Sequence, residues 1–357
     1  MTRPERILLA QTSFLGDVVL TTALAQAVHA ARPEADLYWL VRPEAAPLLV
    51  PIAGAERVLV FDKRGSDAGW SGLLATAKRL RALRFDVAIG VQRSLRTAAL
   101  LALAGIPLRI GFAGSPGALL YHRRVPRRGA HARDRLLSLA APLGGATGAP
   151  QTPALTVDEG AAQALEAELR TAGVAPGERL LVLAPGSAWA TKRWPAVRFA
   201  EAAENLLRAE VDRVAVVGSG ADRGLAAEIA ARLPASRVVD LTGRTDTAGM
   251  VAVLARATLV LANDSAPAHV AAALGVPVVA VFGPTVPEQG FAPLGPSVRV
   301  VGRLLGCRPC SRHGGERCPI GTHECLRDLG PAEVVDAGRD LIPSAPIAAT
   351  RARGEPR

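Results

Sequence analysis

The sequence predicts an α/β protein built of two Rossmann-like parallel-sheet domains, and three observations carry that prediction. Short apolar runs of strand length recur along the chain, bounded by turn residues. Segments with helical spacing lie between most of them, and such alternation builds a parallel sheet covered on both faces. The series occurs twice, on either side of a Gly-, Pro- and Thr-rich stretch at Gly144–Pro153, and 357 residues suffice for two cores. The expected domains are residues 1–150 and 151–342.

In the first half, Arg6–Gln11 reads as a strand and Thr12–Gly16 as a loop. A helix begins at Asp17 or Val18 and runs towards Arg32. Further strands fall at Asp36–Val41, Arg57–Phe61, Asp86–Val91 and Leu108–Phe112, with helices at Gly72–Arg84 and Leu95–Ala104. Tyr121–Arg135, YHRRVPRRGAHARDR, is the strongest basic run. It reads either as a solvated loop leading into a helix at Asp134–Leu143 or as a contact surface for an anion.

In the second half, strands are expected at Leu180–Ala184, Arg213–Val217, Val238–Leu241, Leu259–Ala262 and Val278–Phe282. Helices are expected at Glu159–Ala172, Ala196–Arg208, Arg223–Leu233, Thr247–Ala255 and Ala268–Leu274, with Trp194-Pro195 packing and starting one of them. Pro331–Leu341 reads as a last helix. Residues 343–357, rich in Pro, Ala and Arg without apolar periodicity, are expected to be a disordered tail. The stretch Leu259–Thr285 is a compact βαβ unit. Asn263, Asp264 and Ser265 suit a turn or helix cap, and Pro267 suits a first helical turn. A helix N-terminus at the end of a strand presents backbone N–H groups and the positive end of a dipole to an anion, so a phosphate fits there.

The formal charge is +10, with arginine the main cation, which favours an acidic partner. Aromatic residues are only 4%, so no stacking platform for nucleic acid accompanies the arginines. The apolar run Ile7–Ala10 is too short for a signal peptide, and no uncharged apolar stretch approaches a membrane span. The four cysteines, Cys307, Cys310, Cys318 and Cys325, are confined to one segment near the end, which argues for a reducing compartment rather than a disulfide framework. Their spacing is C-x2-C-x7-C-x6-C. The first pair suits tetrahedral zinc and the later thiols complete a four-ligand set, with His313 and His323 to spare. Reduced, unliganded thiols are the other reading.

Several of these segments carry a family resemblance. NDSAPAH followed by GVPVVAVFGPT (Asn263–Thr285), RILLAQTSFLGDVVLTT (Arg6–Thr22), RIGF (Arg109–Phe112), PGSAWATKRWP (Pro185–Pro195) and LTGRTD (Leu241–Asp246) occur in one order. They resemble the ADP-heptose:lipopolysaccharide heptosyltransferases, glycosyltransferase family nine. The resemblance implies the GT-B arrangement, two such domains facing a cleft, with an acceptor-binding first domain and an ADP-sugar-binding second domain. It implies a last helix at about 331–342 packing back on the first domain. The cysteine-bearing loop is similar to the second heptosyltransferase subfamily. In the family pattern a proline follows the Thr21-Thr22 pair, where this chain has Ala23.

The resemblance also assigns roles. Asp17, after Gly16 in the first loop, is the general base; an alkoxide forms at a sugar hydroxyl only if a nearby group takes its proton. A helix N-terminus lowers the pKa of an aspartate there and burial raises it. Lys192 holds the donor diphosphate and stabilises the leaving ADP, a role a metal otherwise fills, with Ser187 and Thr191 hydrogen-bonding the same phosphates. Asp264 holds the donor sugar, the amides at Ser265 and Ala266 hold phosphate, and His269 stands behind them. Asp222, in GSGADRG (Gly218–Gly224), contacts the ribose. Arg93, Arg123, Arg127 and Arg128 meet an acidic acceptor.

The implied function is inverting, metal-independent transfer of heptose from ADP-heptose to the inner core of lipopolysaccharide, most simply as the second heptose. No cofactor is required, and the four cysteines leave room for a structural zinc. The implied setting is a monomer on the cytoplasmic face of an anionic inner membrane, with no nucleic acid partner. Two alternatives stand beside it. One is another family-nine transferase with a different acceptor or ADP-sugar. The other is an NAD-dependent oxidoreductase, although GSGADRG is spaced G-x-G-x-x-x-G, one residue off the dinucleotide fingerprint.

Overall fold

The computed structural model describes residues 3–145 and 151–342; the tail expected at 343–357 lies outside them. The chain forms two compact units. The first comprises residues up to Asp158 plus Glu288–Phe291, and the second begins at Glu159 and takes the rest. The boundary therefore falls later than the expected 150/151. The physical reason lies in the intervening chain: Ala154 N–H donates to Thr22 Oγ1 (3.0 Å) and Gln26 Nε2 donates to the Thr152 carbonyl (3.1 Å), which ties this stretch to the first unit.

The first unit contains β1 (Arg6–Ala10), α1 (Leu15–Ala31), β2 (Asp36–Val41), α2 (Ala46–Ala53), β3 (Val58–Val60), α3 (Gly69–Ala82), β4 (Val87–Gly90), α4 (Leu95–Leu103), β5 (Leu108–Phe112), β6 (Arg123–Val125) and α5 (Ala132–Leu137). The six strands are parallel in the order β3-β2-β1-β4-β5-β6. Ile7, Leu8, Leu9 and Ala10 are all buried, as a central strand covered on both faces requires. Two elements were not expected. In α2, Pro47 and Pro51 break the helical signature, yet Leu48 and Leu49 are buried. The Arg123–Val125 strand sits inside the basic run that reads as loop: its arginines are exposed and only Val125 turns inward, the mark of a short edge strand.

The second unit contains α6 (Glu159–Thr171), β7 (Leu180–Ala184), α7 (Ala196–Leu206), β8 (Arg213–Val216), α8 (Arg223–Ala230), β9 (Val238–Asp240), α9 (Thr247–Arg256), β10 (Leu259–Asn263), α10 (Ala266–Ala273), β11 (Val278–Val281), β12 (Val298–Val301), α11 (Glu324–Arg327) and α12 (Pro331–Arg339). Its parallel order is β12-β11-β10-β7-β8-β9. Counted from each unit's own first strand, this is the same doubly wound order as in the first sheet. The unexpected strand, β12, is again a half-exposed edge strand. The last helix is built into the second unit's core. Val334 and Val335 of α12 belong to the same core as Leu181, Phe199 and Leu259, and Gly338 lies against Leu259, where an added Cβ would approach Leu259 Cδ2 to 2.8 Å. The apolar face of α12 thus packs on the second unit's own sheet, and Arg339 Nε donates to Glu210 Oε1 (2.7 Å) in the same unit.

In each sheet the order reverses between two neighbouring strands: β1 and β4 in the first, β7 and β10 in the second. The loops leaving the carboxyl ends of such a pair splay apart, so ligands of doubly wound sheets bind there. Among the described residues no helix is long and apolar enough to cross a membrane.

Candidate functional site

At the first switch point, Asp17 is the third residue of α1, not its cap; the cap position is Phe14, whose side chain makes no capping bond. The Asp17 carboxylate accepts from the Phe14 backbone N–H, and the positive charge of Arg127 acts on it. Both favour the ionised form, but burial outweighs them and the Asp17 pKa is pushed up to about 6. The loop before it is held on several sides. Ser13 Oγ donates to Gln92 Oε1 (2.7 Å), Gln92 Nε2 donates to Thr12 Oγ1 (2.7 Å) and to Thr97 Oγ1 (2.6 Å), and Lys63 Nζ donates to the Thr12 carbonyl (2.6 Å). Thr21 Oγ1, one helical turn on, donates to the Asp17 carbonyl (2.7 Å). Ala23 lies fully buried inside α1.

Lys63 is a residue that sequence reasoning missed, along with Arg42, Arg64 and Arg96. Burial lowers the Lys63 pKa, and Arg42, Arg64 and Arg96 lower it further, with Glu44 opposing. Four cations thus gather on the carboxyl edge of the sheet. The signal was present: Arg42 follows β2 directly, and Lys63 and Arg64 follow β3 within a few residues. They come from three separate segments, with only Lys63 and Arg64 adjacent, so none forms a charge run. Of the arginines expected at an acceptor, Arg127 comes near Asp17, and Arg128 follows it, exposed. Arg93 donates to the Gly114 carbonyl (2.8 Å). Arg123 opens β6, at the other end of that strand from Arg127, so it is not grouped with them.

At the second switch point, Lys192 ends a single 3-10 turn, Ala190–Lys192, after β7. Its Nζ meets Asp264 Oδ2 at 2.5 Å, with side chains only 12% and 8% exposed. Thr285 Oγ1 donates to the same carboxylate oxygen (2.6 Å). Asn263, fully buried, fastens the two loops. Its Oδ1 accepts from Trp194 N–H (3.0 Å) and its Nδ2 donates to the Pro185 carbonyl (2.7 Å). Sequence reasoning took Asn263 for a turn residue; its role appears only once β7 and β10 are adjacent. Trp194 packs as expected, with no exposed surface, and Pro195 caps α7. Ser265 is the N-cap of α10 without a side-chain capping bond; Pro267 has no N–H and Ala268 N–H donates to the Ser265 carbonyl (3.2 Å), so an anion there would meet the amides of Ser265 and Ala266. His269 is buried in the first turns of α10.

Of the expected donor contacts, Thr191 and Asp222 have local side-chain partners, and Ser187 is held through its backbone only. Thr191 is buried; its Oγ1 donates to the Gly315 carbonyl (2.8 Å) and accepts from Gly315 N–H (2.8 Å), so the hydroxyl anchors the turn. Asp222 Oδ2 accepts from Ser219 N–H and Oγ (both 2.8 Å), closing the loop after β8. It also underlies Gly186, where a Cβ would meet the carboxylate at 2.7 Å. The Ser187 carbonyl accepts from Arg193 Nε (3.0 Å) and Nη2 (2.8 Å).

The cysteine segment does not match a zinc site. Among the described residues no group of three or more His, Cys, Asp or Glu side chains converges to hold a metal ion. Cys307 is exposed, the Cys310 thiol donates to the Cys307 carbonyl (3.2 Å), and Cys325 is buried in α11. Cys310, Cys318 and Cys325 line a small hollow shared with Thr191, Gly315 and His323.

Two switch points, one with a half-buried, desolvated carboxylate among cations and one with a lysine at a helix N-terminus, fit a transferase better than a dehydrogenase. The family model for glycosyltransferase family 9 (heptosyltransferase) matches residues 73–318. The chain belongs to glycosyltransferase family 9. It is 32% identical to lipopolysaccharide heptosyltransferase 1 of Pseudomonas aeruginosa over 91% of each chain. It is 27% identical to lipopolysaccharide heptosyltransferase 2 of Salmonella typhimurium over 94% of this chain and 98% of that one. Among solved structures, the ADP-heptose LPS heptosyltransferase II of Escherichia coli superposes with a TM-score of 0.77 at 26% identity, covering 94% and 98% of the two chains. The two parallel sheets are those of the GT-B glycosyltransferases, and membership of family 9 removes the dehydrogenase reading.

Proposed function

We propose that this family 9 glycosyltransferase moves heptose from ADP-heptose to a hydroxyl of the inner core of lipopolysaccharide, adding the second heptose with inversion. The observation that carries the reading is the Lys192–Asp264 pair beside the uncapped start of α10. The lysine and the helix amides suit the two phosphates of ADP, and a carboxylate suits sugar hydroxyls. Burial keeps both charges undiluted by water until a donor takes the place of one for the other.

In the reaction, Asp17 accepts the proton of the acceptor hydroxyl. The oxygen forms its bond to the anomeric carbon as the bond from that carbon to the ADP oxygen breaks, and Lys192 stabilises the charge arriving on ADP. With a pKa of about 6, Asp17 is a stronger base than an ordinary carboxylate and is ionised at neutral pH. Lys63, Arg42, Arg64, Arg96, Arg127 and Arg128 suit the anionic groups of a glycolipid acceptor, and the same charge favours work at the anionic cytoplasmic face of the inner membrane. Heptosyltransferases 1 and 2 both align along nearly the whole chain, so full-length similarity alone does not choose the acceptor. The cysteine-bearing loop, similar to that of the second subfamily, favours the second transfer.

The test is mass spectrometry of purified core acceptors incubated with ADP-heptose. The expected product is one added heptose on the acceptor that already bears one, with none on the bare acceptor and an inverted anomeric centre by NMR. Addition to the bare acceptor would reassign the chain to the first transfer. A preceding melt with ADP, UDP, GDP and NAD should show ADP alone stabilising, by roughly 2.7 kcal/mol at about 100 times its Kd.

A further inference from the structure

The segment from Cys307 to Cys325, read from sequence as a metal loop, lies against the donor site and grips both loops that build it. At its start, Arg308 Nη2 donates to the carbonyls of Thr285 (2.8 Å) and Phe282 (3.0 Å), and Cys310 N–H donates to the Pro284 carbonyl (2.9 Å). That loop carries Thr285, the hydroxyl donor to Asp264. Further along, Gly315 exchanges hydrogen bonds with Thr191. Thr191 N–H (3.0 Å) and Oγ1 (2.8 Å) both reach the Gly315 carbonyl, and Gly315 N–H returns to Thr191 Oγ1 (2.8 Å). His323 Nε2 lies 2.8 Å from the Thr191 carbonyl. That turn carries Lys192. Gly314 presses on it so closely that a Cβ there would stand 2.9 Å from Trp189 Cβ and 3.1 Å from Lys192 Cγ. The end of the segment is fixed, because Cys325 and Leu326 enter the second unit's core.

We propose that Cys307–Cys325 is a positioning strap for the donor site, with Thr191 as the residue through which it sets the place of Lys192. The proposal rests on the reading of the Lys192–Asp264 pair as the diphosphate and sugar site. The argument is mechanical. Lys192 stands on one 3-10 turn and Thr285 on an irregular loop, and neither has a regular hydrogen-bond ladder to fix it. Cross-tying them to one segment removes their independent motion, and a displacement of about 1 Å at a charged contact is enough to weaken binding strongly. His313, between the two grips, feels the charges of both Lys192 and Asp264, which places it beside the pair. The strap therefore acts on donor affinity and not on the acceptor.

The test is calorimetric titration of the full chain with ADP, together with donor and acceptor KM values, for four variants. Thr191→Val keeps the shape and removes both hydroxyl bonds; Thr191→Ser restores them. Gly314→Ala drives a methyl group into Trp189 and Lys192 from a loop position where φ is +95°. Lys192→Met tests the underlying site. The expected result is an ADP Kd and donor KM raised roughly tenfold by Thr191→Val and by Gly314→Ala, with the acceptor KM close to that of the parent, a lowered melting temperature that still leaves both variants folded at the assay temperature, and near-parent binding for Thr191→Ser. If Lys192→Met weakens ADP while Thr191→Val and Gly314→Ala do not, the strap is overturned and the donor site stands. If Thr191→Ser falls as far as Thr191→Val, the hydroxyl bonds are not the cause and the proposal is also overturned. If Lys192→Met binds ADP like the parent, the donor-site reading fails and takes the strap with it. Should Thr191→Val not fold, Gly314→Ala decides.

Discussion

The two units share one strand order yet handle charge in opposite ways at the same topological point. In the first, the switch-point loop carries a carboxylate whose ionisation is opposed by burial, with cations arranged around the sheet edge. In the second, the equivalent loops carry a lysine and an aspartate neutralised against each other. The difference fits the proposed roles, a base in the first half and a donor site in the second. A base must want a proton, so its carboxylate is left without a close partner strong enough to offset desolvation. A site for a doubly charged leaving group must hold cationic charge ready, and the internal carboxylate keeps that charge from being stranded until the ligand arrives.

Substitutions can break or sharpen this comparison. The largest expected effect is on the base: Asp17→Asn should lower kcat by roughly 10²- to 10⁴-fold while leaving ADP affinity unchanged by calorimetry. In the parent, kcat should fall as pH drops through about 6, where Asp17 becomes protonated. Next is the ion pair. Asp264→Ala leaves Lys192 buried without its partner and should cost about 3–5 kcal/mol of stability in denaturant unfolding.

Asp17 should behave the other way. Its folded pKa near 6 lies above the unfolded value of 3.8, so the folded state binds the extra proton between those values and ionisation above pH 6 costs stability. Asp17→Asn should therefore melt higher than the parent at pH 8, by up to about 3 kcal/mol, and the gain should vanish below pH 4. An ordinary helix-capping aspartate would give the opposite sign.

Lys63→Ala should raise the acceptor KM roughly 5- to 10-fold, with a weaker dependence on ionic strength and no change in donor KM. The smallest effect concerns the strap. Backbone N–H groups of His323, Ile320, Gly321 and Thr322 lower the Cys318 pKa, whereas burial pushes Cys325 up to about 11. Timed alkylation followed by mass spectrometry should label Cys318 well before Cys325.

Much of this was legible in the sequence for a local reason. Buried parallel strands are continuous apolar runs, so β1, β7, β10 and β11 stand out, and the residues that follow them, Asp17, Lys192 and Asp264, are located with them. The strands that escaped notice, β6 and β12, are short edge strands with one face in water, where the apolar signal is halved. The local partners of the expected donor residues were not legible. Thr191 and Asp222 sit where expected, but their polar atoms are engaged by Gly315 and Ser219.

The sequence by itself determined the fold class, the doubled architecture and the identity of the loops that matter, because strand periodicity and turn chemistry are properties of neighbouring residues. Only the tertiary structure decided what those loops became. The Asp17 pKa depends on how much water its surroundings exclude, and no local pattern reports that. The cation cluster joins Arg42, Lys63, Arg64 and Arg96, drawn together by the order of the strands. The cysteine segment reads as a metal loop along the chain, and only the fold shows that it meets Thr191 and Thr285, the contacts on which the strap proposal rests. Contacts between residues more than a hundred positions apart, such as Thr191 with Gly315, have no counterpart in sequence spacing, and here they hold the turn that carries Lys192.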